Sequence, residues 1–180
     1  MNQTTPQEAG SVRFAEIIDR ALIRISQAVA WIFFILMLVI LAQVTLRRGF
    51  SAGLIILEEL QWHLYAIGVF MGVIYAQARD THVRVDVLRE RYSQTARHVI
   101  EILGLTFLLM PFLWVVFYHG IAFTYEAWRI NERSLAPAGL PWRWLIKGLI
   151  PLTMGLLMIA VLNRIAKESV LLVRHIKGGV

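Results

Sequence analysis

The sequence contains no cysteine, so disulfides, zinc–thiolate sites, iron–sulfur clusters and thiol nucleophiles are excluded from this chain. Charge is scarce as well. Only 17% of the 180 residues are charged against 58% hydrophobic, and a mean hydropathy of +0.62 lies outside the range of ordinary soluble domains. No glycine-rich phosphate loop, serine–histidine–acid set or metal-ligand cluster stands out, so nothing in the sequence assembles an enzyme. Few charges fall inside the apolar runs, which argues against a self-contained ion-coupled transporter with intramembrane acids along its pathway. The formal charge of +6 comes from basic residues dispersed between those runs. They form no nucleic-acid-reading motif and read as topology signals.

What is present is a set of long uncharged stretches. Ile25 to Leu46, Leu60 to Ala78, Ile102 to Tyr125 and Gly148 to Asn163 carry no formal charge. At ~1.5 Å per helical residue, about 20 residues cross roughly 30 Å of hydrocarbon. The last stretch is short, so its span is expected to begin near Arg143. The predicted fold is an all-α integral membrane protein with four transmembrane helices, at about 25–46, 60–78, 102–125 and 143–163. Amphipathic cytoplasmic extensions are expected at both ends. Residues 1–10 read as a disordered tip, and 11–180 as one four-helix membrane domain.

Phe14, Ile17, Ile18, Ala21, Leu22 and Ile25 recur at helical spacing opposite a charged face, and no Pro or Gly interrupts Ser11 to Leu46. An amphipathic extension of the first span follows. A signal peptide does not fit, because acids precede an overlong apolar core. The N-terminal segment, second loop and tail carry 12 Lys and Arg, against 6 in the first and third loops. With four spans, the positive-inside rule puts both termini in the cytoplasm.

Several residues invite specific expectations. Gly68, Gly72 and Ala76 form a strip of small side chains, suited either to packing within the bundle or to a seam with a second membrane subunit. Arg47 and Arg48 could pair with Glu58 or Glu59, as interfacial charge or as a latch. Val83, Val85 and Val87 alternate with Arg84, Asp86 and Leu88, suggesting an extended segment. Ser93 is a plausible N-cap, Pro111 should kink the third span, and Pro141 can begin the last helix, anchored by Trp142 and Trp144. Lys147 either snorkels outward or pairs with Glu126 or Glu132.

Glu58-Glu59-Leu60, Gly72 and then Arg79-Asp80-Thr81-His82-Val83-Arg84-Val85-Asp86-Val87-Leu88 resemble the signature of the small permease subunit of tripartite ATP-independent periplasmic (TRAP) transporters, the DctQ-like family. There an acidic pair opens the second helix and a His-x-Arg-x-Asp segment follows it. Asn131-Glu132-Arg133-Ser134, then Pro141-Trp142 and Lys147 before Pro151, resemble the mannitol/chloroaromatic-type branch. Arg79-Asp80-Thr81 departs from the pattern, since members often carry a glycine before the histidine.

The resemblance implies a membrane complex of the bacterial inner membrane. It would import an organic acid or related solute on an ion gradient, usually sodium. Its partners would be a large DctM-like permease subunit, which holds the solute and ion sites, and a periplasmic solute-binding protein. No cofactor is implied. Gly68, Gly72, Ala76, His82, Arg84 and Asp86 would face or brace the large subunit. Arg47, Arg48, Glu58, Glu59, Glu126, Asn131, Glu132, Arg133 and Trp142 would form a periplasmic latch or docking surface. Pro111, Pro141, Trp144, Lys147 and Pro151 would shape or anchor helices. The alternative reading is a haem-bearing anchor of a redox enzyme, with His63 and His119 as axial ligands.

Overall fold

The computed structural model describes residues 6–51, 53–79, 92–136 and 139–177. Its helices are α1 Pro6–Ala30, α2 Ile32–Gly49, α3 Ile55–Arg79, α4 Gln94–Leu103, a π-helical turn Gly104–Leu109, α5 Met110–Arg129 and α6 Arg143–Lys177. No strand occurs among the described residues. Helix satisfies each backbone group within its own segment, which hydrocarbon surroundings require. Among the described residues, three continuous segments are long and apolar enough to cross a membrane: Ala15–Gly49, Gln94–Arg129 and Arg143–Val173. The second predicted span, in α3, is not among them. Gln61, His63, Tyr65, Tyr75 and Gln77 dilute its apolar character.

Local chemistry moves several boundaries. Helix α1 starts at Pro6, inside the stretch expected as a disordered tip, and proline suits a first turn whose N–H would lack a partner anyway. The run into α2 is broken only at Trp31, whose backbone stays right-handed; the Ile35 N–H still bonds the Trp31 carbonyl at 3.3 Å. The buried face of α1 is rotated from the expected one. Ala15, Leu22 and Ser26 are buried, whereas Ile17 and Ile25 are about half exposed.

Just before Pro111, where a kink was expected, the helix widens by a turn. Over Gly104–Leu109 the helix becomes π, and the Met110 N–H bonds the Leu105 carbonyl. Proline lacks a donor and its ring crowds the carbonyl four residues back; a wider turn relieves the crowding. Ser93 is an N-cap, its hydroxyl accepting from the Ala96 N–H at 3.3 Å. Pro141 does not open the last helix. Trp142 intervenes with φ of 63°, and α6 begins at Arg143.

Helix α6 is the axis of the bundle. Helices α1, α3, α4 and α5 all pack on it, while α2 packs mainly on α3. The core draws Leu22 from α1, Met71 and Ile74 from α3, Leu113 from α5, and Leu149, Leu157, Ala160 and Val161 from α6. Small residues set the α5–α6 distance. A Cβ on Gly120 would lie 3.2 Å from Pro151 Cδ, and one on Gly155 would lie 3.3 Å from the Phe117 ring. At the end of the bundle where α1 starts, charges are paired between helices. Asn163 Nδ2 donates to the Ala15 carbonyl at 2.9 Å and to Asp19 Oδ1 at 2.6 Å, and Lys167 bonds Asp19. Arg164 reaches both Glu101 and Glu168 at 2.8 Å, and His98 Nδ1 lies 2.6 Å from Glu168.

Replacing Gly120 by Leu should overpack the α5–α6 contact and lower stability by roughly 1–3 kcal/mol. Gly72, with nothing within 4 Å of its Cβ position, should accept Leu without such a loss. Thermal unfolding of both variants in mild detergent checks the contrast.

Candidate functional site

At the other end of the bundle the loop between α5 and α6 folds back on itself. Helix α5 is closed by a Schellman motif: the Glu132 N–H bonds the Ala127 carbonyl at 2.9 Å, and the Asn131 N–H bonds that of Trp128 at 3.0 Å. The motif needs a left-handed residue at its turn. Asn131 supplies it with φ of 48°. The Arg143 N–H then bonds the Glu132 carbonyl at 3.2 Å, and the Ser134 N–H bonds that of Leu140 at 3.3 Å. The loop is therefore closed at its base.

Glu59, in the second turn of α3, clasps this loop. Its carboxylate accepts from the Ser134 hydroxyl and from the Leu140 N–H at 2.6 Å. Gly139 makes the approach possible, because a Cβ there would collide with Ser134 and Glu59. The Ser134 hydrogen bond, followed by that of Leu140, holds the Glu59 carboxyl below its ordinary value; desolvation opposes this, and the His63 and Arg143 charges add to it. A second acid, Glu132, pairs with Lys147 and lies 3.7 Å from Arg143. The Lys147 ammonium also sits 4.0 Å from the centre of the Phe123 ring, a cation–π contact.

This geometry sorts the expected residues. Of the two pairings considered for Lys147, Glu132 is the partner, so the ammonium turns inward. Glu126 pairs instead with Arg129 at 2.7 Å, both exposed, an arrangement of little energetic weight. Among the described residues no ion pair joins Arg47 or Arg48 to Glu58 or Glu59. The arginines end α2 exposed, Glu58 is exposed, and Glu59 bonds the loop instead. Arg133 and Trp142 are exposed. Trp144 lines a groove of about 350 Å³ with Trp128, Gly148 and Pro151.

The small-residue strip divides. Gly68 is buried, with the Phe33 ring of α2 over it. Gly72 faces open space, and Ala76 is half-buried. His82, Arg84 and Asp86 lie outside the described residues, as does the alternating Val83–Leu88 segment. His63 Nδ1 bonds the Glu59 carbonyl oxygen at 2.7 Å. His119 is exposed on α5, and α3 and α5 each pack on α6.

Sequence reading missed Gly139, Leu140 and Leu135. In sequence Gly139 is flanked by Pro137 two residues before it and Pro141 two residues after it, a punctuation that marks loop backbone. Nothing marked Leu140, which contributes only a backbone N–H. Leu135 is 96% exposed at the loop's tip, an unusual place for a large apolar side chain.

Long apolar helices around a central one, charge-paired at one end and clasped at the other, define a small α-helical membrane protein. The family model described as "Tripartite ATP-independent periplasmic transporters, DctQ component" matches residues 36–170, from α2 through most of α6. The chain belongs to this family: it is the small permease component of a TRAP transporter and not an enzyme. No curated protein and no solved structure matches it.

Because the folded Glu59 value lies below the unfolded one, its contribution is fully present above the ordinary carboxylate range. It is lost as pH falls through the depressed folded value. Hydrogen exchange at the Leu140 amide should accelerate, relative to intrinsic exchange, as the solution is acidified through that range. Glu59→Gln should remove this dependence. Replacing Lys147 by Met leaves half-buried Glu132 without its nearest cation and should cost about 1–3 kcal/mol, read by thermal unfolding. Asn131→Gly should be near neutral by the same measurement, whereas Asn131→Val should cost on the order of 1 kcal/mol or more.

Proposed function

We propose that this chain widens the stationary scaffold of a large permease subunit and helps receive a periplasmic solute-binding protein. The assembly takes up an organic acid or related solute on an ion gradient, sodium in the usual case. In this reading α3 is the second of four spans in a bacterial inner membrane. Its polar residues are tolerated because α3 packs on α1, α2 and α6, and the basic-residue asymmetry puts both termini in the cytoplasm. The residues Asn131 to Ser134, Pro141, Trp142, Lys147 and Pro151 support placement in the mannitol/chloroaromatic-type branch.

The observation that carries the docking role is the clasp. Glu59 holds a closed loop by side-chain and backbone hydrogen bonds, and that loop presents Leu135 almost wholly to solvent. A loop tied by hydrogen bonds at its base has less conformational freedom to lose on contact with a partner. Exposed Glu58 and Arg133 flank it as charges that can orient a soluble protein. For the large subunit, the open strip at Gly72 and the exposed apolar side of α2, including Phe34, Leu38 and Leu41, form the proposed contact. Gly68 closes the bundle from within. His82, Arg84 and Asp86 are assigned to bracing on the cytoplasmic side.

Uptake and co-purification separate these roles. Gly72→Leu should reduce recovery of the large subunit in mild detergent; unchanged recovery and uptake would remove Gly72 from the interface. Leu135→Asp, or charge reversal at Glu58 or Arg133, should lower uptake at limiting binding protein while the membrane complex stays intact. Full uptake at limiting and saturating binding protein would argue against docking at this loop.

A further inference from the structure

Helix α5 carries a polar side chain at membrane depth that its own chain leaves unbonded. His119 lies within the uncharged run from Ile102 to Tyr125, in the segment Gln94–Arg129 that is long and apolar enough to cross a membrane. The next formal charge along the helix is Glu126, seven residues on, roughly 10 Å away at ~1.5 Å per residue. The imidazole is exposed and meets the Tyr118 ring edge-on, 5.6 Å between centroids. Among the described residues its two nitrogens have no hydrogen-bond partner. Other polar side chains of the bundle are engaged. His63 bonds the Glu59 carbonyl at 2.7 Å and His98 meets Glu168 at 2.6 Å. Thr124, further along α5, turns its hydroxyl back to the Gly120 carbonyl at 2.8 Å. Lys147, which reaches α5 over the Phe123 ring, is taken by Glu132.

The surface around His119 is apolar and open. Leu105, Leu109 and Phe112 line a groove between α5 and α3, with Val73 on the opposite wall and Met154 and Leu157 of α6 as its floor. His119 follows Phe112 by seven residues, two turns that return to within about 20° of the same direction. The stripe that begins in the groove therefore continues to the imidazole. Leu108, Phe112 and Val115 along this ridge are 80%, 61% and 54% exposed. Acyl chains could cover them, but hydrocarbon offers an imidazole neither a donor nor an acceptor, and an unbonded polar group there is costly. A membrane helix with a polar side chain at the right level satisfies both needs, and histidine is among the residues that bond across membrane helices.

We propose that this ridge seats a transmembrane helix of the large permease subunit, and that His119 bonds a hydroxyl, amide or carboxyl side chain of that helix. The seat adjoins the contact already assigned to Gly72, because Val73, its neighbour in α3, forms a wall of the groove. The inference deepens the scaffold role and rests on it. It adds a contact on α5 that fixes the register of the partner helix, since a hydrogen bond to one imidazole is made at one level only.

The test uses the two membrane subunits expressed and purified together in mild detergent. Photoreactive benzoylphenylalanine is placed at Val115, one turn from His119, or at Trp114, which is equally exposed but turned about 140° from His119 at 3.6 residues per turn. Light should join the Val115 probe to the large subunit and the Trp114 probe to lipid or detergent. His119→Leu should weaken association with the large subunit about three- to tenfold, the scale of one hydrogen bond between membrane helices. The thermal midpoint of the isolated His119→Leu chain should stay at or above that of wild type, because no bond within the chain is lost. His119→Gln, which keeps a donor and an acceptor, should hold association closer to wild type. Undiminished association of His119→Leu overturns the inference and leaves the scaffold role standing, and so does a Val115 probe that joins only lipid or a second copy of this chain. An isolated His119→Leu chain that melts well below wild type assigns the ring to the chain's own packing and overturns the inference as well. A wild-type chain that recovers no large subunit overturns both the inference and the scaffold role.

Discussion

The contact between Gly120 of α5 and Pro151 of α6 sets the spacing on which the rest of the bundle depends. Pro151 is buried within α6, where its ring denies the helix one backbone donor. A neighbour with no Cβ lets α5 close on that ring. With the two helices so near, the loop that joins them can be short and folded on itself. Lys147, one turn before Pro151, then lies within reach of Glu132 just beyond the end of α5. The close approach within the bundle and the charge pairing at its rim are two results of one geometry.

Charge is placed at the two ends of the bundle for the same reason that it is scarce between them. In an apolar surround an unpaired ion is costly and a paired one is tolerable. At one end Asp19, Glu101 and Glu168 meet Lys167 and Arg164; at the other, Glu132 meets Lys147. The pairs join α1 to α6, α4 to α6 and the loop to α6, so they also fix which helices are neighbours. Among the described residues no such pair ties α2 to α6. Helix α2 rests on α3 through Phe33 over Gly68 and leaves most of its apolar side chains exposed, which suits a face turned to lipid or to another subunit.

Much of this was legible along the chain. Long uncharged runs bounded by charged residues declare helices suited to a membrane, because residue type alone decides whether a segment prefers hydrocarbon. Ser93 declares a helix start by local chemistry, and the acidic pair with its downstream His-x-Arg-x-Asp pattern announced the family that residues 36–170 match. α3 shows the boundary of that reading. Its polar residues lower its hydropathy, and its place in the bundle comes from packing on α1, α2 and α6.

The sequence by itself determined the helical class, the positions of the long apolar segments and the family, since each depends on composition and short-range order. Tertiary structure decided the partners. It matched Glu59 with Ser134 and Leu140, 75 and 81 residues away, rather than with the nearby arginines. It matched Asn163 with Ala15 and Asp19 across the bundle, and it divided Gly68 from Gly72. A hydrogen bond or a close approach depends on which surfaces the folded helices bring within a few ångströms, and residues on one strip of one helix can meet quite different surroundings.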